Sequence, residues 1–261
     1  MSLSSSIFIE KKSAKRSFRF AHLSQTSSTN TNLLDFARDN NIEIPLVLQA
    51  DHQTSGRGTR GRQWDNAIDS LMFSVVLPLP QKVVKYIGVT LTIGQKIVEY
   101  LRKKNIPALL KWPNDVIVND RKLMGILVEN VKTRDQRDAL VVGIGLNLRT
   151  KPQQSLSYAA CSISDFLTIS WDQQQKKQWI IDWFDLIADA IDEVGTQGLI
   201  PTVNRWDSLA AYQNELINLL QDGEIVETAL LQGIDESGRL LVSTPQGLRT
   251  YLSGTISLRK K

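Results

Sequence analysis

The 261-residue chain is poor in the side chains that most catalytic chemistry depends on: it has one cysteine, Cys161, and two histidines, His22 and His52. A lone thiol excludes an internal disulfide framework, and two imidazoles without a cysteine cluster leave no protein-ligated zinc site, so no metal ligands are assigned. No apolar run is long enough to cross a bilayer, and residues 1–20 lack the hydrophobic block of a secretory signal. The expected address is a reducing cytoplasm, away from membranes. Charge of one sign is also scarce, because a net +4 is mild and dispersed. That balance permits anionic ligands but does not by itself argue for nucleic acid. There are no repeats and no low-complexity segments. Cys161 reads as a small buried residue near a helix start, not as a nucleophile.

What is present is ordinary for a globular protein, with 42% hydrophobic and 22% charged residues, enough for one large domain with a small appendage. Ser27-Ser28-Thr29-Asn30 precedes a run whose apolar spacing is helical, which makes the cluster an N-cap. Residues 46–48 read as a strand. From 83 to 104 the apolar positions follow a helical period, with Gly88 and Gly94 allowing close packing on a sheet. Residues 109–112, 116–118, 123–128 and 140–148 form a meander, and Asn119-Asp120 is hairpin chemistry, so these neighbours are antiparallel. Residues 173–194 give the clearest helix. After Trp206 short runs at 216–220, 225–232, 240–243 and 255–258, separated by glycine-bearing turns, predict a small β domain. The segment 10–16 is expected to be a solvated, partly mobile terminus.

Two constellations carry chemistry. Gly56-Arg57-Gly58-Thr59-Arg60-Gly61-Arg62-Gln63-Trp64 combines three glycines with three arginines. Glycine lets backbone approach a ligand, and guanidinium forks fit phosphate oxygens. The same letters satisfy G-x-G-x-x-G, but a strand-like run and not a helix follows, and no GK[ST] is present, so neither a dinucleotide loop nor a P-loop applies. The second is Lys111-Trp112-Pro113-Asn114-Asp115, where an ammonium emerges from an apolar strand, a costly placement unless an anion meets it; an edge-strand lysine reaching out to water is the plainer reading of these residues alone. Gly125, Gly143 and Gly145 also lie within strands, where a glycine marks either a bulge or close approach of a ligand.

GRGTRGRQW, KWPNDV, RKLMGILVE, GIGLNL and GTISLR, taken in this order and spacing, resemble the bacterial biotin protein ligases over residues 24–259. The resemblance implies an α+β fold: a mixed, largely antiparallel sheet flanked by helices, as in class II synthetase and biotin-ligase catalytic domains, followed by a small C-terminal SH3-like β-barrel. It implies boundaries of 1–20 for an N-terminal extension, 21–211 for the catalytic biotin/ATP-binding domain and 212–261 for the small domain. It also implies activation of biotin by ATP with Mg²⁺, and transfer to a lysine of a biotin carboxyl carrier protein. By similarity Ser28, Thr29, Asn30, Gln53, Arg57, Gly58, Thr59 and Lys111 would bind biotin. Arg57, Gly58, Arg60, Arg62, Trp64, Lys111, Asn114 and Asn147 would bind ATP and the adenylate, with Lys111 and Arg57 as catalytic cations. Asp115 is left unassigned. Two departures stand out. Thr59 replaces an arginine frequent in the family loop, which implies faster loss of the adenylate, and Thr255 replaces a glutamate often found before ISLR. With about twenty residues before the catalytic domain, a ligase-only form without a DNA reader is expected. A lipoate- or octanoate-handling acyl ligase or transferase and a biotin-responsive transcriptional regulator are the alternatives. Monomer and homodimer are both left open.

Overall fold

Runs rich in Val, Leu and Ile, covered on both faces, make the middle of the larger sheet in the computed structural model, which describes residues 3–4, 7–64, 69–149 and 159–261. Its eight strands are β1 (Ile9–Lys12), β2 (Ser17–Thr26), β3 (Leu46–Gln53), β4 (Asp69–Pro78), β5 (Leu109–Lys111), β6 (Asp115–Val118), β7 (Arg121–Lys132) and β8 (Asp138–Arg149), and they lie in the order β1-β2-β3-β4-β8-β7-β6-β5. Only β2 and β3 run parallel, joined across the sheet by helix α1 (Thr29–Asp39); the other pairs are antiparallel. The Asn119-Asp120 hairpin turn forms with both residues at left-handed φ, 50° and 59°.

Side-chain alternation along the strands builds two cores. Leu33, Leu34 and Ala37 of α1 pack against Leu48, Val76 and Val141 on one face. On the other, Ile93 and Ile97 of α2 (Val89–Lys103) and Trp183, Phe184 and Ile187 of α3 (Gln173–Gln197) cover Val47, Phe73, Val75 and Val142. Each fully buried aliphatic side chain contributes roughly 1.5–3 kcal/mol. A short helix α4 (Ile200–Leu209) leads to the second sheet, β9 (Leu216–Gln221), β10 (Glu224–Ile234), β11 (Leu240–Thr244), β12 (Gly247–Tyr251) and β13 (Ser257–Lys260), in the order β12-β11-β10-β9-β13.

Four features differ from the sequence expectation. The helical period from 83 is broken at Gly88, whose φ of 81° is left-handed, so a 3₁₀ turn at Val83–Tyr86 precedes α2. β12 carries no apolar run because it is an almost fully exposed edge strand, so nothing in the residue pattern marks it. The smaller sheet is open in its pairing, where a barrel was expected. Finally, residues 9–20 are not a loose terminus. β1 and β2 form the sheet's outer hairpin, and Lys15 and Arg16 reach α3, with Lys15–Asp189 at 2.5 Å, Arg16–Asp189 at 2.8 Å and Arg16–Asp192 at 2.7 Å.

Candidate active site

The α1 side of the larger sheet opens into a cavity of about 430 Å³ where its large side chains give way to glycine. The register explains the opening. Ser74, Gly143 and Leu127 form one row across β4, β8 and β7, and Met72, Gly145 and Gly125 form the next. Over the first row sits the start of α1: a β-carbon on Gly143 would lie 2.2 Å from Asn30 Oδ1. Over the second sits Trp64, and a β-carbon on Gly145 would lie 2.5 Å from its ring. The strand glycines therefore mark close approach, and no bulge separates Gly125, Gly143 and Gly145 in the β7–β8 ladder.

One end of the cavity is polar and neutral. Ser28 caps α1, its side chain accepting from Thr31 N, and the helix start presents Ser28, Thr29 and Asn30 to the cavity. Gln53, at the end of β3, accepts the Thr29 backbone N–H at 2.7 Å and lines the same end.

The glycine–arginine loop forms the other wall. It folds back on itself through Gly58 N–H to Arg62 O at 2.7 Å and Trp64 N–H to Gly56 O at 2.9 Å, with an Arg57–Gln63 bridge. Its tip turns at Arg60 and Gly61, both at left-handed φ, 59° and 68°. Arg57, Gly58, Thr59, Arg62 and Trp64 line the cavity, whereas Arg60, at the tip, does not. Arg57 is engaged by Glu129 of β7 at 2.7 Å, so its charge is already compensated.

The lysine that lines the cavity is Lys122, not Lys111. The physical reason is again register. Lys111 pairs with Asp115, and Asp115 pairs with Gly125, so Lys111 lies two strands beyond the glycine row, on the edge strand β5. Lys122, at the start of β7, places its Nζ 5.3 Å from the Trp64 ring centre and 2.7 Å from Asp115 Oδ1. Sequence reasoning noted Lys122 only as part of a run; a lysine opening a strand that carries Gly125 was the available signal. Lys111 is nevertheless on the site's side of the molecule. Burial lowers its pKa; Asp115 opposes that, while the charges of Lys122, Arg259 and Arg62 lower it further.

Asn114 lines the cavity and ties β6 to β7 by donating to Ile126 O at 2.9 Å. Asn147 does not line it; its amide donates to Lys122 O and Cys161 O, holding the segment after 159 against β7. Beyond the expected set, Gln63, Phe73, Ser74, Ile126, Leu127 and Ile144 line the cavity. Cys161 is fully buried, and burial pushes its thiol up to about 11, which makes it inert.

Residues 23–147 match the family model described as the biotin/lipoate A/B protein ligase family, and residues 214–259 match the biotin protein ligase C-terminal domain. The chain is 31% identical over 242 residues to the bifunctional ligase/repressor BirA of Escherichia coli, covering 89% of this chain and 71% of that one. It is 28% identical over 235 residues to the biotin–[acetyl-CoA-carboxylase] ligase of Paracoccus denitrificans, covering 86% of this chain and 94% of that one. Among solved structures, the biotin protein ligase from Aquifex aeolicus in complex with biotin and ATP superposes with a TM-score of 0.75 at 28% identity, covering 93% of this chain and 99% of that one. The chain belongs to the biotin/lipoate A/B protein ligase family, among its biotin protein ligases.

Proposed function

We propose that this chain is an ATP-dependent biotin protein ligase, which joins biotin to AMP with release of pyrophosphate and then passes the acyl group to a lysine of a biotin carboxyl carrier protein. The observation that carries this is the division of one cavity into a neutral hydrogen-bonding end and a cationic end, with a glycine-lined floor between them. A ureido ring suits Ser28, Thr29 and Gln53, because it offers N–H donors and a carbonyl acceptor together. The acyl chain then lies along the floor beneath Trp64. Its carboxylate reaches Lys122 and Arg62.

In the first half-reaction a carboxylate oxygen bonds to the α-phosphorus of ATP while the bond to the leaving pyrophosphate breaks. Two anions must approach each other, and charge grows on the phosphoryl oxygens, so fixed cations lower the barrier. Lys122 and Arg62 are those cations; Arg57, held by Glu129, serves as a wall and orienting group. Lys111 acts at a distance, adding positive potential from the edge strand β5, two strands from Lys122's β7. The mixed anhydride is itself the activated acyl donor, so no protein nucleophile is required. Mg²⁺ would enter with ATP, carried on its phosphates, and neutralise part of their charge.

Biotin-dependent exchange of labelled pyrophosphate into ATP tests the proposal. Exchange that proceeds equally well with lipoate, or not at all with biotin, would overturn it. Transfer to a carrier domain, followed by mass spectrometry, tests the second half-reaction.

A further inference from the structure

Along the α1 side of the cavity runs a chain of hydrogen bonds with the Glu129 carboxylate at one end and Thr29, 3.1 Å from Gln53 Oε1, at the other. Arg57 donates to Glu129 Oε1 at 2.7 Å and to Oε2 at 3.2 Å, and Asn30 Nδ2 donates to the same Oε2 at 3.0 Å. On its other side, Asn30 Oδ1 accepts the Ser74 hydroxyl at 2.5 Å. Ser74 Oγ and Thr29 Oγ1 are 2.7 Å apart.

Proton counting then fixes the direction of every bond. An ionised carboxylate can only accept, so Asn30 must turn its NH₂ to Glu129 and its oxygen to Ser74. The one hydroxyl proton of Ser74 therefore goes to Asn30. The proton between Ser74 and Thr29 then comes from Thr29, which takes the shorter contact at 2.7 Å and leaves none for Gln53 Oε1 at 3.1 Å; Gln53 is held instead by the Thr29 backbone N–H. Donors point from Thr29 through Ser74 and Asn30 to Glu129, and the remaining lone pairs of Thr29 Oγ1 are left to accept. Ser74 is fully buried and Asn30 nearly so, so solvent does not re-randomise this order.

We propose that Glu129, which does not itself line the cavity, is a positioning residue for recognition of the acid substrate's head group. Its carboxylate sets the donor direction of Asn30, Ser74 and Thr29, and holds Arg57 on the cavity wall. The site so polarised selects a head group that presents N–H donors. This rests on the biotin ligase function proposed above and assigns a determinant of its substrate preference outside the contact shell.

Glu129→Gln keeps the shape but introduces a donor, which leaves Asn30 only the long 3.5 Å contact to Leu127 O to hold its amide and so lets the amide and both hydroxyls reverse. In biotin-dependent pyrophosphate exchange the variant is expected to raise the KM for biotin at least tenfold while kcat stays within threefold of the unmodified enzyme. Glu129→Asp, which keeps the acceptor-only charge, should recover most of the loss. Ser74→Ala interrupts the chain at a small buried site and should raise the same KM at least threefold, and it carries the test if Glu129→Gln does not fold. An unchanged KM in Glu129→Gln and Ser74→Ala, or a loss confined to kcat, overturns the proposal. Absence of biotin-dependent exchange in the unmodified protein would instead remove the ligase function on which the proposal rests.

Discussion

Replacing Lys122 by glutamine asks whether the cation that matters stands on β7 or on the edge strand. Lys122 Nζ is 2.7 Å from Asp115 and lies over Trp64 at the cavity wall, so a substrate oxygen entering there meets it directly. Losing one charge-assisted hydrogen bond costs roughly 1.5–3 kcal/mol, and each 1.36 kcal/mol is about tenfold in rate. Lys122→Gln should therefore slow biotin-dependent adenylation by about ten- to a hundredfold. Lys111→Gln, which removes a charge two strands from the glycine row, should slow it by less than tenfold. Pyrophosphate exchange at saturating ATP measures both. A larger loss at Lys111 than at Lys122 would refute the assignment and return the catalytic role to the KWPND lysine.

Other outcomes follow from packing and charge. Gly145→Val should expel Trp64 from its seat, since even a β-carbon there would stand 2.5 Å from the ring, and indole fluorescence should report a more exposed Trp64 with weaker nucleotide binding. Thr59→Arg, which adds a cation to the cavity wall, should slow dissociation of biotinyl-adenylate severalfold in a chase experiment; unchanged release would show that Arg62 already closes that wall. Burial holds the Lys111 pKa below its ordinary 10.5, so its folded form resists protonation and the ammonium costs stability below the lowered value. Lys111→Met should accordingly melt higher than the unmodified protein at neutral pH without nucleotide, and the gap should close as pH rises toward 10.5. A gap that widens with pH would contradict the sign.

The residues announced most of the architecture where one physical demand dominated. The 173–194 helix was legible because its apolar period is long, the β5–β8 meander because its apolar runs are set apart by polar turn residues, and Asn119-Asp120 because its left-handed turn has a chemical signature. β12 was illegible because an exposed edge strand is under no pressure to be apolar. In the site, Ser28, Thr29 and Gln53, which only the resemblance placed there, line one cavity with Arg57, Gly58, Thr59 and Arg62 of the glycine–arginine loop. Lys111, Arg60 and Asn147 stand off the cavity, because which neighbour of a motif points inward depends on strand register and on the tip of a turn, neither of which a residue's type encodes. Glu129 was visible only as the last residue of RKLMGILVE, with no role attached, since its importance lies in hydrogen-bond direction.

The clasp between the N-terminal hairpin and α3 bears on how the chain can be shortened. A version beginning at Phe20 keeps every residue around the cavity, yet strips Asp189 and Asp192 of their cations and removes Phe18, which stacks on Phe184 at 4.5 Å. It leaves a row of acids along α3 and a hole in the sheet's inner layer, so such a trimmed enzyme would tend to aggregate before it lost any group that touches substrate.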